Sequence, residues 1–198
     1  MKKLLLLLLL PAIVFANDYK SRFFASGAIA LSHVKVNSRD DGGWVHDGSH
    51  FLGNGDIHIY GGWEFRPLRW FSLSPAFGFQ RNGWSWDRAG HEGSISYFNP
   101  YLRLGLGFYI KKMIYIELAG TYGFPTFFWG EQDGKSTTAD ISQENAWSSS
   151  GIFSIGYMIN EHYRVGLMMG ENYVYSALDG IGTHVYESPL GIFFTYLF

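Results

Sequence analysis

From Tyr101 the chain reads YLRLGLGFYI, and Leu102, Leu104, Leu106, Phe108 and Ile110 occupy every second position. Between them stand Tyr101, Arg103, Gly105 and Gly107, a set with no large aliphatic side chain. A period of two belongs to a β-strand, whose successive side chains point to opposite faces. The same contrast recurs along most of the chain, while helical periodicity is scarce after residue 16. It predicts eight strands, near 22–36, 54–66, 70–82, 94–110, 113–125, 146–159, 163–176 and 183–198. The apolar set includes Ile57, Ile59, Trp63 and Phe65, then Phe71, Leu73, Phe77 and Phe79, and later Phe153, Ile155, Tyr157 and Ile159. The complementary set holds Ser72, Ser74, Ala76, Gly78 and Gln80, and Tyr115, Glu117, Ala119, Thr121 and Gly123.

The connections alternate as well. Pro67-Leu68-Arg69, Lys111-Lys112 and Asn160-Glu161-His162 are tight, whereas 37–53, 83–93 and 126–145 are long and rich in Gly, Trp, Asp and Ser. Short turns at one end and long loops at the other are the signature of an up-and-down antiparallel barrel. If the apolar set points inward, the chain is a soluble secreted barrel of the lipocalin kind; if it points outward, the surrounding solvent is lipid. Three features favour lipid. The complementary set is mostly Gly, Ala and Ser, which suit the crowded inside of a narrow barrel better than a water-facing surface. Aromatic residues gather near both ends of the apolar face, with Trp63, Phe65 and Phe71 at one and Tyr122, Phe124 and Trp147 at the other, as interfacial girdles require. Only 16% of residues are charged against about 25% in an ordinary soluble domain, and 19% are aromatic.

At the start of the chain Lys2 and Lys3 precede an apolar run from Leu4 to Phe15, with Ala16 offering a small residue for cleavage. Residues 1–16 read as a secretory signal peptide, leaving 17–198 as the barrel domain. There is no Cys for a disulfide, a thiolate metal site or a lipid anchor, and a net charge of −2 argues against nucleic acid as a partner.

The last eight residues, GIFFTYLF, carry no charge and alternate like the other strands. A bilayer barrel must pair every edge, so this segment is expected to close on the first strand. With these features the chain resembles the small outer-membrane barrels of Gram-negative bacteria, of the OmpA, OmpX and OmpW type. The resemblance implies an outer-membrane location among lipid and lipopolysaccharide and a monomeric barrel. It also implies that Tyr196 and Phe198 form the signal read by the barrel-assembly machinery.

Parity places Glu64, Arg66, Arg103, Glu117, Arg164 and Glu187 on the inward face, mostly in the half nearer the short turns, where charges must be paired. They are expected to plug and order the barrel, since an eight-stranded interior is filled by side chains. Asp40, Asp41, His46, Asp47 and His50 match no calcium-loop or zinc spacing, and Glu131, Asp133, Asp140 and Glu144 read as a polar external segment, so no metal or cofactor is expected. Trp84, Trp86, Arg88 and His91 form the best external contact surface, because Trp and Arg are enriched at binding hot spots, although Trp at a loop base also anchors to the membrane interface. His184, Glu187 and Ser188 lie close in sequence, but Glu187 points away from the other two, and there is no G-x-S-x-G elbow. His33 and His58 sit on strands without a convincing Ser or carboxylate beside them. The expected role is structural or adhesive, through the external loops 37–53, 83–93, 126–145 and 177–182. A narrow channel for small or apolar solutes is the alternative, and a lipid-modifying enzyme the third reading.

Overall fold

The computed structural model describes residues 21–40, 43–53, 55–88, 91–111, 113–132, 134–140, 146–178 and 181–198. Their strands are β1 (Arg22–Asp40), β2 (Gly43–Gly53), β3 (Asp56–Leu68), β4 (Phe71–Arg88), β5 (His91–Ile110) and β6 (Ile114–Gly123). They continue with β7 (Phe127–Gln132), β8 (Lys135–Asp140), β9 (Trp147–Met158), β10 (Tyr163–Leu178) and β11 (Ile181–Leu197). Hydrogen-bonded neighbours run β1, β3, β4, β5, β6, β9, β10, β11 and back to β1, so eight of the strands close a barrel. All pairings are antiparallel, and β11 closes on β1 from Phe24 opposite Leu197 to Arg39 opposite Gly182. The segment GIFFTYLF is therefore a paired wall strand.

The alternation sets the two faces as expected. On β1, Leu31 is 66% exposed while its neighbour Ala30 is 2% exposed. Ile59, Phe77, Leu102, Leu118, Ile155, Leu167 and Ile192 stand on the same outer surface. A continuous apolar exterior of this extent is unfavourable in water and matches hydrocarbon, so the barrel is transmembrane. Aromatic contacts ring its two borders. Phe23 meets Trp63 at 4.7 Å and Tyr163 meets Tyr196 at 5.2 Å near the short turns. Tyr122 meets Phe124 at 5.1 Å and Trp147 meets Tyr173 at 5.1 Å near the other end.

Inside, the small residues make room for the large ones. Phe193 points inward with Ala28, Ala119, Ile152 and Met168. A Cβ on Gly156 or Gly166 would come within 2.8 Å of its ring. A second apolar cluster, Phe24, Tyr109, Tyr115, Met158 and Leu197, lies by the short turns. Those turns are locally encoded: the Asn160 side chain accepts the His162 and Tyr163 amides at 2.8 and 2.9 Å, an Asx-type turn.

The structure corrects the expectation for the long connections. Most of 37–53, 83–93 and 126–145 is strand: β1 continues to Asp40 and pairs with β2, β4 and β5 pair out to Arg88 opposite His91, and β7 pairs with β8. The connection 177–182 is strand up to Leu178 and again from Ile181. β5 has 20 residues, about twice the 9–11 that a tilted transmembrane strand needs. The wall thus extends beyond the bilayer as hairpins at the end opposite the short turns.

Candidate functional site

The inward charges fall into two groups rather than one network. The lower group is near the short turns and centres on Glu64, which is 1% exposed. Arg164 Nη2 donates to Glu64 Oε2 at 2.7 Å and to the Tyr109 hydroxyl at 2.5 Å, and that hydroxyl donates to the same oxygen at 2.6 Å. Arg22 Nε donates to Glu64 Oε1 at 3.2 Å, and its Nη1 reaches the Glu161 carbonyl at 2.6 Å. Alongside, Arg103 pairs with Glu117, which also accepts from the Tyr115 hydroxyl. The Arg164 guanidinium lies 3.5 Å over the Tyr115 ring and joins the two ion pairs. Arg66, placed inward by parity, is half-buried at the rim; it stacks 3.9 Å over Tyr109 and donates to the Arg69 carbonyl. A register irregularity between Phe65 and Leu68 accompanies that position.

Above this lies a neutral layer. Asn99 donates to Gln80 at 3.2 Å and to Ser148 at 2.8 Å. Buried His58 is edge-on to Tyr101 at 6.3 Å. Higher still is Glu187, fully buried and far in the wall from the lower group. Its Oε2 accepts from Tyr97 at 2.8 Å, from Asn172 at 2.6 Å and from Asn82. Asp56, also fully buried, accepts from Ser32.

The lower interior has no spare room. A Cβ on Gly105 would sit 2.7 Å from Glu117 Oε2 and 2.9 Å from Arg103 Nη1. Gly107 is enclosed by Ser72 and Tyr115 in the same way. Gly105→Ala is therefore expected to push the Arg103–Glu117 pair apart and to cost about 1–3 kcal/mol, the usual range for overpacking. Urea unfolding in bilayers measures it; an unchanged midpoint would mean that the lumen holds free volume at this level.

Sequence parity missed Arg22, Asp56, Tyr97, Asn82 and Asn172. Asp56 carried a signal, since it shares parity with His58 and Glu64 on one strand. The expected contact residues lie on the extended β4–β5 hairpin, with Trp84 opposite Ile95, Trp86 opposite Gly93 and Arg88 opposite His91; their side chains lie outside the described residues. The acidic and His residues of the first long connection fall on the β1–β2 hairpin, where Ser38 faces His46 and Lys35 faces His50. Asp41, Asp133 and Glu144 lie outside the described residues. Tyr196 is half-buried at the short-turn end, 4.7 Å from the ring of exposed Phe198.

No protein-family model and no curated protein matches the chain. Its fold is similar to that of the outer membrane protease OmpT from Escherichia coli, with a TM-score of 0.54 and 11% identity over 92% of this chain and 99% of that one. Neisserial surface protein A is also similar, with a TM-score of 0.49 and 10% identity over 88% and 98% of the two chains. OprG from Pseudomonas aeruginosa follows, with a TM-score of 0.45 and 13% identity over 90% and 96%. At such identities the likeness bears on the fold alone.

Proposed function

We propose that the chain is a bacterial outer-membrane protein that serves as a structural and surface-contact element, with the contact made by its projecting hairpins. One observation carries this reading: strands of up to 20 residues outrun the membrane, above an interior packed with side chains. Material built into the hairpins is of use only to something outside the bilayer, whereas a channel needs its volume inside. Residues 1–16 would direct the chain across the inner membrane, Tyr196 and Phe198 would engage the assembly machinery, and the apolar belt would then face lipid and lipopolysaccharide as a monomer. The β4–β5 hairpin with Trp84, Trp86, Arg88 and His91 is the favoured contact surface, because Trp and Arg give the most binding energy per residue.

The reading is of a non-enzyme. His184 meets the Tyr173 hydroxyl at 2.5 Å on the outer wall, while Glu187 is buried on the inner one, so His184, Glu187 and Ser188 do not converge. In a strain lacking the gene, the full chain and a chain with the β4–β5 hairpin shortened above Asn82 are compared for surface attachment and detergent resistance. Both are expected to restore detergent resistance, and only the full chain attachment. Equal attachment by the shortened chain would overturn the contact role. A stable single-channel conductance from either chain in planar bilayers would favour the narrow channel instead.

A further inference from the structure

The two ends of the interior are charged differently. The lower group sets Arg22, Arg103 and Arg164 against Glu64 and Glu117. The upper group sets Asp56 and Glu187 against nothing: among the described residues no salt bridge reaches either carboxylate. They lie on β3 and β11, the two strands that flank β1, and Asn82 links them: it donates to Glu187 and follows Arg81, whose register partner Ile57 adjoins Asp56. Two like charges enclosed together are strongly unfavourable unless something positive joins them.

The hydrogen bonds show where it would sit. Tyr97, Asn82 and Asn172 all donate to Glu187 Oε2, and Oε1 receives no hydrogen bond. Ser32 donates to Asp56 Oδ2, and Oδ1 receives none. Asn82 uses its amide nitrogen on Glu187 and on the Tyr97 hydroxyl at 3.1 Å, which fixes its carbonyl as the other arm, and that oxygen is also buried without a partner. Asn82 itself is 1% exposed. Neutral donors thus occupy one oxygen of each carboxylate and leave the other bare. A single shared proton would serve two of the three bare oxygens and leave one negative charge; two protons, or one doubly charged cation, serve all three and neutralise the pair, and only the cation makes stability depend on calcium.

We propose that Asp56, Glu187 and Asn82 bind a divalent cation of the calcium type inside the upper half of the barrel. The ligands are hard oxygens from two carboxylates and an amide, and water completes the flexible shell that calcium accepts. His58 stands two residues below Asp56 on the same strand face and adds no third carboxylate. The set differs from a cluster of three acidic or His ligands, of which there is none among the described residues.

The test uses the refolded chain in zwitterionic detergent free of lipopolysaccharide, treated with chelator and titrated with calcium chloride. The wild type is expected to unfold at a higher temperature as calcium rises, saturating in the range of about 10⁻⁴–10⁻³ M typical of extracellular sites. The Asp56→Asn, Glu187→Gln double variant is expected to lose that response, yet to be at least as stable as the wild type in chelator, since the repulsion is gone. A wild type that does not respond at roughly ten times that concentration overturns the proposal, and so does a double variant that keeps the response. If the variant fails to fold, terbium replaces calcium on the wild type. Tyr97, bonded to Glu187, should then sensitise terbium emission that calcium competes away, and absence of such emission overturns the site.

Discussion

Glu64→Ala is expected to lower the unfolding free energy of the barrel in bilayers by about 3 to 5 kcal/mol, the range for breaking a buried ion pair from one side. Glu64 accepts from Arg164, Arg22 and Tyr109, and its side chain is 1% exposed. Its removal leaves Arg164, itself 4% exposed, with the Tyr109 hydroxyl and two aromatic rings but no carboxylate in contact. Four strands meet through this residue, β1, β3, β5 and β10, so the loss should be felt around half the barrel. Urea titration followed by tryptophan fluorescence reads the effect. A cost below about 1 kcal/mol, the value of an exposed pair, would mean that water reaches the lower interior and that the charges line a wet path.

Leu104→Arg is expected to cost about 2 to 4 kcal/mol in a bilayer, as for a charge near the midplane on the lipid face of a barrel. Leu104 is 48% exposed on the outer wall, between Pro75 on β4 and Gly120 on β6. It lies between the aromatic borders marked by Phe108, four residues along β5, and Tyr122, which stands opposite Leu102. The same change at an outward position of a hairpin beyond the belt, Ser85→Arg, should cost close to nothing, because that face meets water. Equal costs at both sites would place the bilayer elsewhere along the barrel.

What could be read from the sequence follows from where the two faces of a strand meet different solvents. Within the bilayer, Leu102, Leu104 and Leu106 face lipid while Arg103, Gly105 and Gly107 face a packed interior, so the contrast is large and the eight strands, their faces and the closure by β11 are legible. Above the bilayer both faces contact polar surroundings. In the stretch WSWDRAGHEGSIS the alternating apolar set shrinks to Trp84 and Trp86, with Ile95 opposite Trp84, too short a run to mark two strands, although the backbone pairs as β4 and β5 over its described residues. The contrast disappears there and the hydrogen bonding does not, which is why hairpins read as loops.

The interior was legible as to residue and silent as to partner. Parity alone puts Glu64, Arg103, Glu117, Arg164 and Glu187 inside. Pairing depends on how far the wall strands are staggered, and that shift brings Arg22 of β1 to Glu64 of β3 and leaves Glu187 of β11 far from every lower arginine. Neutral residues gave no signal of their own: Asn82, Tyr97 and Asn172 matter only because the register gathers them on one carboxylate oxygen. Asp56 stands at the first residue of β3, where an acidic residue reads as part of a turn.

The most direct test of a closed barrel with its apolar face in lipid is the gel mobility of the protein from the outer-membrane fraction, loaded boiled and unboiled. A closed barrel resists detergent until heated, so the account predicts membrane-bound protein whose unboiled form runs as a distinct, more compact band that boiling abolishes. Protein recovered in the soluble fraction, with one band under both conditions, would contradict it.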